Sequence, residues 1–192
     1  MFVGFPALTL GVAAQLAVPV REHRGTVEVT SQISIAGGYR LAAPPRGSGS
    51  LFSLAVRVDV LFGRAGPGSI GLGPFASTRS DNFADLATAV GASLLLPTGG
   101  TFPFVLSVGG VGRYDSTGLA FGAIERLWWG ARSYNYHSTY VLSAGFFVES
   151  RQFADPDRTV DIIAGVDVDL EIVVIPYLLL YNWLFRHGQD GR

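Results

Sequence analysis

Apolar and polar residues alternate with a period of two through most of the chain, the spacing of strands whose two faces meet different surroundings. The clearest stretch is residues 160–174, where Val160, Ile162, Ala164, Val166, Val168, Leu170, Ile172 and Val174 fill the even positions. Asp161, Asp167, Asp169 and Glu171 stand on the odd ones. A helix, turning about 100° per residue, would scatter those carboxylates around its axis; a strand collects them on one side. Residues 51–63 repeat the arrangement, with Phe52, Leu54, Val56, Val58, Val60 and Phe62 opposite Arg57 and Asp59.

Further stripes follow the same rule. Val27, Val29, Ile33 and Ile35 alternate with Glu28, Thr30, Gln32 and Ser34, and Leu86 to Leu96 carries apolar or small residues on its even positions. Phe102, Phe104, Leu106, Val108 and Tyr114 share a parity that excludes Arg113. Tyr140, Leu142, Ala144, Phe146 and Val148 oppose Glu149 and Arg151, and Tyr177, Leu179, Tyr181, Trp183 and Phe185 close the series. Two places are irregular. Residues 70–77 read as a weak glycine-rich strand ending in a turn at 79–82, and Glu125 falls on the apolar parity of its strand, for which a bulge near Ile124 would compensate. Turn formers separate the stripes, as in Pro44-Pro45-Arg46-Gly47, Pro97-Thr98-Gly99-Gly100 and Ala154-Asp155-Pro156-Asp157.

The expected fold is an all-β, antiparallel, up-and-down transmembrane barrel of about eight to ten strands, occupying 1–192 as a single domain. Ten strands result if residues 1–20 supply the first. Eight result if that segment is a signal or anchor and residues 160–185 form one strand and a tail. The first reading is preferred, because Pro6, Pro19, Gly4, Gly11, Thr9 and Gln15 interrupt the segment and no basic residue precedes Arg21. Residues 186–192 form a short tail.

Composition turns the barrel inside out relative to a soluble one. Hydrophobic residues make up 48% of the chain and charged residues 15%, against about 25% charged in a typical soluble domain. A soluble, lipocalin-like barrel that binds an apolar ligand would need a charged exterior, and the non-apolar faces here are too poor in Lys, Arg and Glu to provide it. Phe52 and Phe62 lie ten positions apart on one face, roughly 25 Å across a membrane for strands tilted near 40°. Phe102 and Tyr114, twelve positions apart, repeat the arrangement, as aromatic girdles at two interfaces would. Net charge is −1 with singly scattered basic residues, which argues against nucleic acid. There is no cysteine, so disulfides and thiolate metal sites are excluded.

With these strands, short turns and the near-terminal Tyr181-Asn182-Trp183-Leu184-Phe185, the chain resembles the small outer-membrane β-barrel proteins of Gram-negative bacteria. The resemblance implies a bacterial outer-membrane location, a lipid-bilayer environment, and contacts with lipopolysaccharide or envelope proteins. It also implies that Tyr181, Trp183 and Phe185 form the terminal aromatic strand read by the assembly machinery, although that family usually stops at the aromatic and this chain continues to Arg192.

The inward face is expected to hold Glu28, Arg57, Asp59, Arg113, Glu149, Arg151, Asp161, Asp167, Asp169 and Glu171 as an ionic network filling the lumen, since a barrel of about eight strands is only wide enough for side chains. A carboxylate-lined pore or transport path is the alternative. Asp167 and Asp169 share a face but lack a supporting histidine or further ligands, so neither a metal site nor an acid/base pair is assigned. His137, Ser138 and Glu149 are similar in residue type to the His, Ser and Glu of outer-membrane lipid A deacylases, at intervals that do not match. A lipid-modifying enzyme is therefore a minor alternative. No catalytic residue or cofactor is assigned, and the leading expectation is a non-enzymatic anchor, structural or envelope-interaction protein.

Overall fold

The computed structural model describes residues 27–43, 48–66, 68–98, 102–116, 118–132 and 143–170. Eight strands run in chain order: β1 (Val27–Leu41), β2 (Gly49–Phe62), β3 (Gly71–Asp81), β4 (Asp85–Leu96), β5 (Phe104–Asp115), β6 (Gly118–Arg132), β7 (Ser143–Phe153) and β8 (Val160–Asp169). Each pairs antiparallel with its sequence neighbour, and β8 returns to β1, with Val168 opposite Ile33 and Asp161 opposite Arg40. The result is a closed up-and-down barrel. Closure supplies a ladder partner on both sides of every strand, which an open sheet denies its edges. Among the described residues no helix is long and apolar enough to cross a membrane, an observation that does not bear on strands.

These eight strands correspond to the second through ninth apolar stripes of the sequence. The stripes at residues 8–20 and 177–185 lie outside the described residues, as do Glu171, Tyr181, Trp183, Phe185 and the His137-Ser138 pair.

Two local expectations need correction. β3 does not end before a turn at residues 79–82; it continues to Asp81, and the turn occupies 82–84. Asn82 and Phe83 there have φ of 50° and 57°, the left-handed pair that a tight hairpin with right-handed strand twist demands. The Asn82 side chain accepts from the Phe52 N–H at 2.8 Å, and its own N–H donates to the Phe52 carbonyl at 2.7 Å, which ties the turn to β2. Nor is there a bulge near Ile124. The β5–β6 register runs unbroken through Gly109↔Ile124, Val108↔Glu125 and Ser107↔Arg126. Glu125 therefore stays on the outer face and Arg126 on the inner.

The outer face is apolar over most of its area. Val90, Phe146, Val108 and Leu72 are exposed there, and aromatic residues gather towards the two rims. Phe62, Phe102, Phe104 and Trp129 mark one end, with the Trp129 ring 6.3 Å from those of both Phe102 and Phe104. Tyr39, Phe52, Phe83, Tyr114 and Phe121 mark the other, where Phe52 and Phe83 meet at 5.7 Å. Inside, small residues make room for large ones. A Cβ on Gly145 would come within 2.6 Å of the Trp128 ring, so the indole is accommodated inside the barrel only because Gly130, two residues on along β6, and Gly145, opposite it on β7, leave it room.

Candidate functional site

The lumen is where this barrel concentrates its chemistry. Inward positions alternate with outward ones along every strand, so the polar parity of the sequence becomes a stack of ionic layers around the axis. Near the β1 start, the Glu28 carboxylate receives Arg64 at 2.7 Å and also pairs with Arg132. Arg132 donates on to the Thr30 hydroxyl at 2.6 Å. Gln32 on β1 donates to Ser143 on β7 at 2.9 Å, over the intervening β8.

At mid-height, Arg57 grips Asp59 with two parallel bonds of 2.7 and 2.8 Å, the bidentate geometry that a planar guanidinium favours. Arg57 also donates to Ser107 at 2.7 Å and Ser93 at 2.9 Å, while Ser93 donates to Asp59 at 2.6 Å. Its guanidinium carbon stands 4.0 Å from the centre of the inward Phe75 ring. The same motif recurs twice. Arg126 lies 3.8 Å over Phe147 and pairs with Asp167 and Glu149, and Arg113 lies 4.1 Å over Phe153. An aromatic face offers a cation favourable electrostatics without needing its own hydration, which suits a dry interior.

Towards the opposite rim the pairs merge. Arg151 reaches Asp81 at 2.8 Å and Asp161 at 3.3 Å; Arg40 reaches Asp161 at 2.8 Å and Asp85 at 2.6 Å; Arg79 binds Glu149 at 2.9 Å. Arg113 completes the set with Asp115 at 3.0 Å and Asp155 at 2.8 Å. Asp155 belongs to the β7–β8 turn, beyond the strands. Burial alone would raise its pKa, but the Thr159 hydroxyl and N–H and the Arg113 guanidinium outweigh it and hold the carboxyl below its usual value.

Glu28, Arg57, Asp59, Arg113, Glu149, Arg151, Asp161, Asp167 and Asp169 are all buried on the inner face. The last in sequence of the ten residues singled out, Glu171, is outside the described residues. Pattern reading missed Arg40, Arg64, Arg79, Asp81, Arg126 and Arg132, which the structure places in the same network. Parity could have found Arg79, Asp81, Arg126 and Arg132 once their strands were carried to full length. Arg64 reaches in from a loop and has no periodic signal.

The layers leave little space. A void lined by Ser77, Arg79, Ala89, Glu149 and Arg151 measures about 10 Å³, at the lower limit for a single water. Among the described residues, no group of His, Cys, Asp and Glu has the arrangement of a metal site. Glu149, the carboxylate of the deacylase-like trio, faces the lumen between Arg79 and Arg126. Of the aromatic residues read as interfacial, Phe52, Phe62, Phe102 and Tyr114 stand exposed on the outside.

No protein-family profile matches the chain, and no curated protein does. Among solved structures, neisserial surface protein A superposes with a TM-score of 0.44 at 13% identity, over 75% of this chain and 99% of its own. A de novo designed transmembrane β-barrel gives 0.40 at 10% identity, over 79% of this chain and 100% of the other.

Proposed function

We propose that this chain is a small outer-membrane β-barrel whose lumen is a closed ionic core, and that it acts as a non-enzymatic anchor or envelope-contact protein. One observation carries the reading: the distribution of polarity is inverted. Arg113 and Asp161 are each 0% exposed in the interior, whereas Val90 and Phe146 are 65% and 64% exposed outside. Water would favour the reverse arrangement, because exposed apolar area costs roughly 25 cal/mol per Å² and buried ions lose their hydration. Hydrocarbon outside the barrel removes the first cost, and mutual pairing of the lumen charges offsets the second. Aromatic residues at both rims supply the interfacial girdles that a spanning barrel carries.

A conducting path would need continuous water, and the guanidinium and carboxylate groups fill the cross-section instead. Lipopolysaccharide or other envelope components are the partners this reading proposes, met by the rims and loops. The test has two arms. The purified full chain is refolded into phospholipid vesicles and assayed for a heat-modifiable gel shift, and then incorporated into planar bilayers. The proposal expects a folded, vesicle-bound species with negligible steady conductance. A chain that remains soluble without lipid refutes the membrane assignment; large stable openings refute the closed core.

A further inference from the structure

Glu125 is out of keeping with its surroundings. Among the described strands it is the one carboxylate or basic side chain on the outward parity, since every other inter-girdle charge points into the lumen. On β6 it lies four positions from Phe121 and four from Trp129, halfway between the girdles. Those two aromatics are separated by roughly 20 Å of membrane depth, taking about 3.3 Å per residue and a tilt near 40°. No hydrogen bond or ion pair joins Glu125 to another described residue. A carboxyl group in mid-membrane without a partner is a standing cost, and such residues face protein or water.

The neighbouring residues indicate what meets it. Ser150 on β7 is directly opposite Glu125 in the ladder, and Gln152 is opposite Ala123, so a hydroxyl and an amide donor share the outer face with the carboxylate. On the other side, Gly110 pairs with Ala123, and a Cβ placed on Gly110 would meet nothing within 4 Å. Beside Val108, which pairs with Glu125 itself, and Leu127, the patch is low along Ala123 and Gly110 and carries acceptor and donors together. Small residues let backbones approach closely where no hydrophobic force operates between membrane segments.

We infer that the outer face of β5–β7 around Glu125 is the seam of a homodimer, with a second copy of this chain as its occupant. A two-fold axis along the membrane normal brings each residue to the depth of its counterpart, so an isologous contact sets the Glu125 carboxylate of one copy against the Ser150 and Gln152 donors of the other. The patch is self-complementary, whereas a helix bearing a basic residue would leave those two donors unused. The inference rests on the membrane-spanning reading above.

The absence of native cysteine allows a direct test. Ala123→Cys places a thiol in the proposed seam, and Val56→Cys places one on β2, on the far side of the barrel. Each full-length variant is refolded into phosphatidylcholine vesicles at low protein density, checked for the heat-modifiable shift, and oxidised. The seam predicts a disulfide-linked dimer of Ala123→Cys forming on the order of tenfold faster than that of Val56→Cys, as pairing raises the effective thiol concentration. Adding Glu125→Leu, which makes the exterior more apolar and leaves the lumen untouched, should reduce the rate to that of Val56→Cys. Equal rates at the two sites, a seam thiol that stays monomeric, or a dimer indifferent to Glu125→Leu overturns the inference while the shift persists. Loss of the shift in every variant, the parent chain included, instead overturns the membrane-spanning reading on which the seam depends, and the seam with it.

Discussion

Asp59→Ala is the perturbation that most sharply separates a dry ionic core from a wet channel. Asp59 is 2% exposed and accepts two bonds from Arg57 and one from Ser93. Removing it leaves the Arg57 guanidinium buried with only the Ser93 and Ser107 hydroxyls and the Phe75 ring for company. Deleting one member of a buried ion pair costs about 3–5 kcal/mol, because the survivor keeps its desolvation penalty and loses its compensation. The remaining hydroxyls and the ring soften the loss, which places the expectation near the lower bound, about 3 kcal/mol. The double variant Arg57→Met with Asp59→Ala removes both charges, and Ser93 and Ser107 still bond each other at 2.9 Å. Replacing a whole buried pair by apolar groups is close to neutral, so the double change should cost about 1 kcal/mol or less. Urea unfolding from lipid vesicles, followed by tryptophan fluorescence and by gel mobility, measures both. If Asp59→Ala costs less than about 1 kcal/mol, the value of an exposed pair, water reaches Arg57 and the closed core is wrong. If the double variant is as damaged as the single, the cost lies in packing and the ionic account fails.

Three further outcomes follow from the same geometry. Val166 faces outward, so Val166→Phe should leave vesicle unfolding within about 1 kcal/mol of the parent, whereas a packed core would lose about 1–3 kcal/mol to overpacking. Gly145→Val, in contrast, drives a side chain into the Trp128 ring and should destabilise by about 1–3 kcal/mol in the same titration. Asp155 has a folded pKa below its unfolded one, so its stabilisation of the β7–β8 turn is full above the usual carboxylate range and disappears as pH falls through the lower folded value. Asp155→Asn should accordingly slow or speed nothing at strongly acidic pH but raise amide exchange of residues 154–159 at neutral pH; an equal gap across the whole range would refute the assignment.

Where one parity was bulky and apolar the strands could be read directly. β2 and β8 show it, since Phe52 to Phe62 and Val160 to Val168 leave a single side for Arg57, Asp59, Asp161 and Asp167. β3 was obscure because beyond Leu72 its outward residues are Pro74, Ala76, Thr78 and Ser80, too small and polar to mark a face, so Arg79 and Asp81 looked like a turn. In β6, Glu125 on the outer parity imitated a slip of phase; the strand has none, and the exception is in the surface it presents. Arg40 was missed for another reason. Gly37 and Gly38 dilute the alternation after Ile35, although β1 continues to Leu41. Which arginine pairs with which carboxylate depends on the closure of β1 on β8 and on cross-lumen distances, and neither has a signature in local sequence.

The most direct test of the account is the environment of the outer face in a bilayer. Single cysteines at Ile35, Val56 and Val166, all outward, exposed and off the proposed seam, are spin-labelled after refolding into vesicles, and collisions with oxygen and with a water-soluble nickel complex are compared. A membrane-spanning barrel predicts strong oxygen and weak nickel collisions at all three, because oxygen partitions into hydrocarbon and the nickel complex does not. Strong nickel collisions at these positions in the folded, vesicle-bound chain would contradict it.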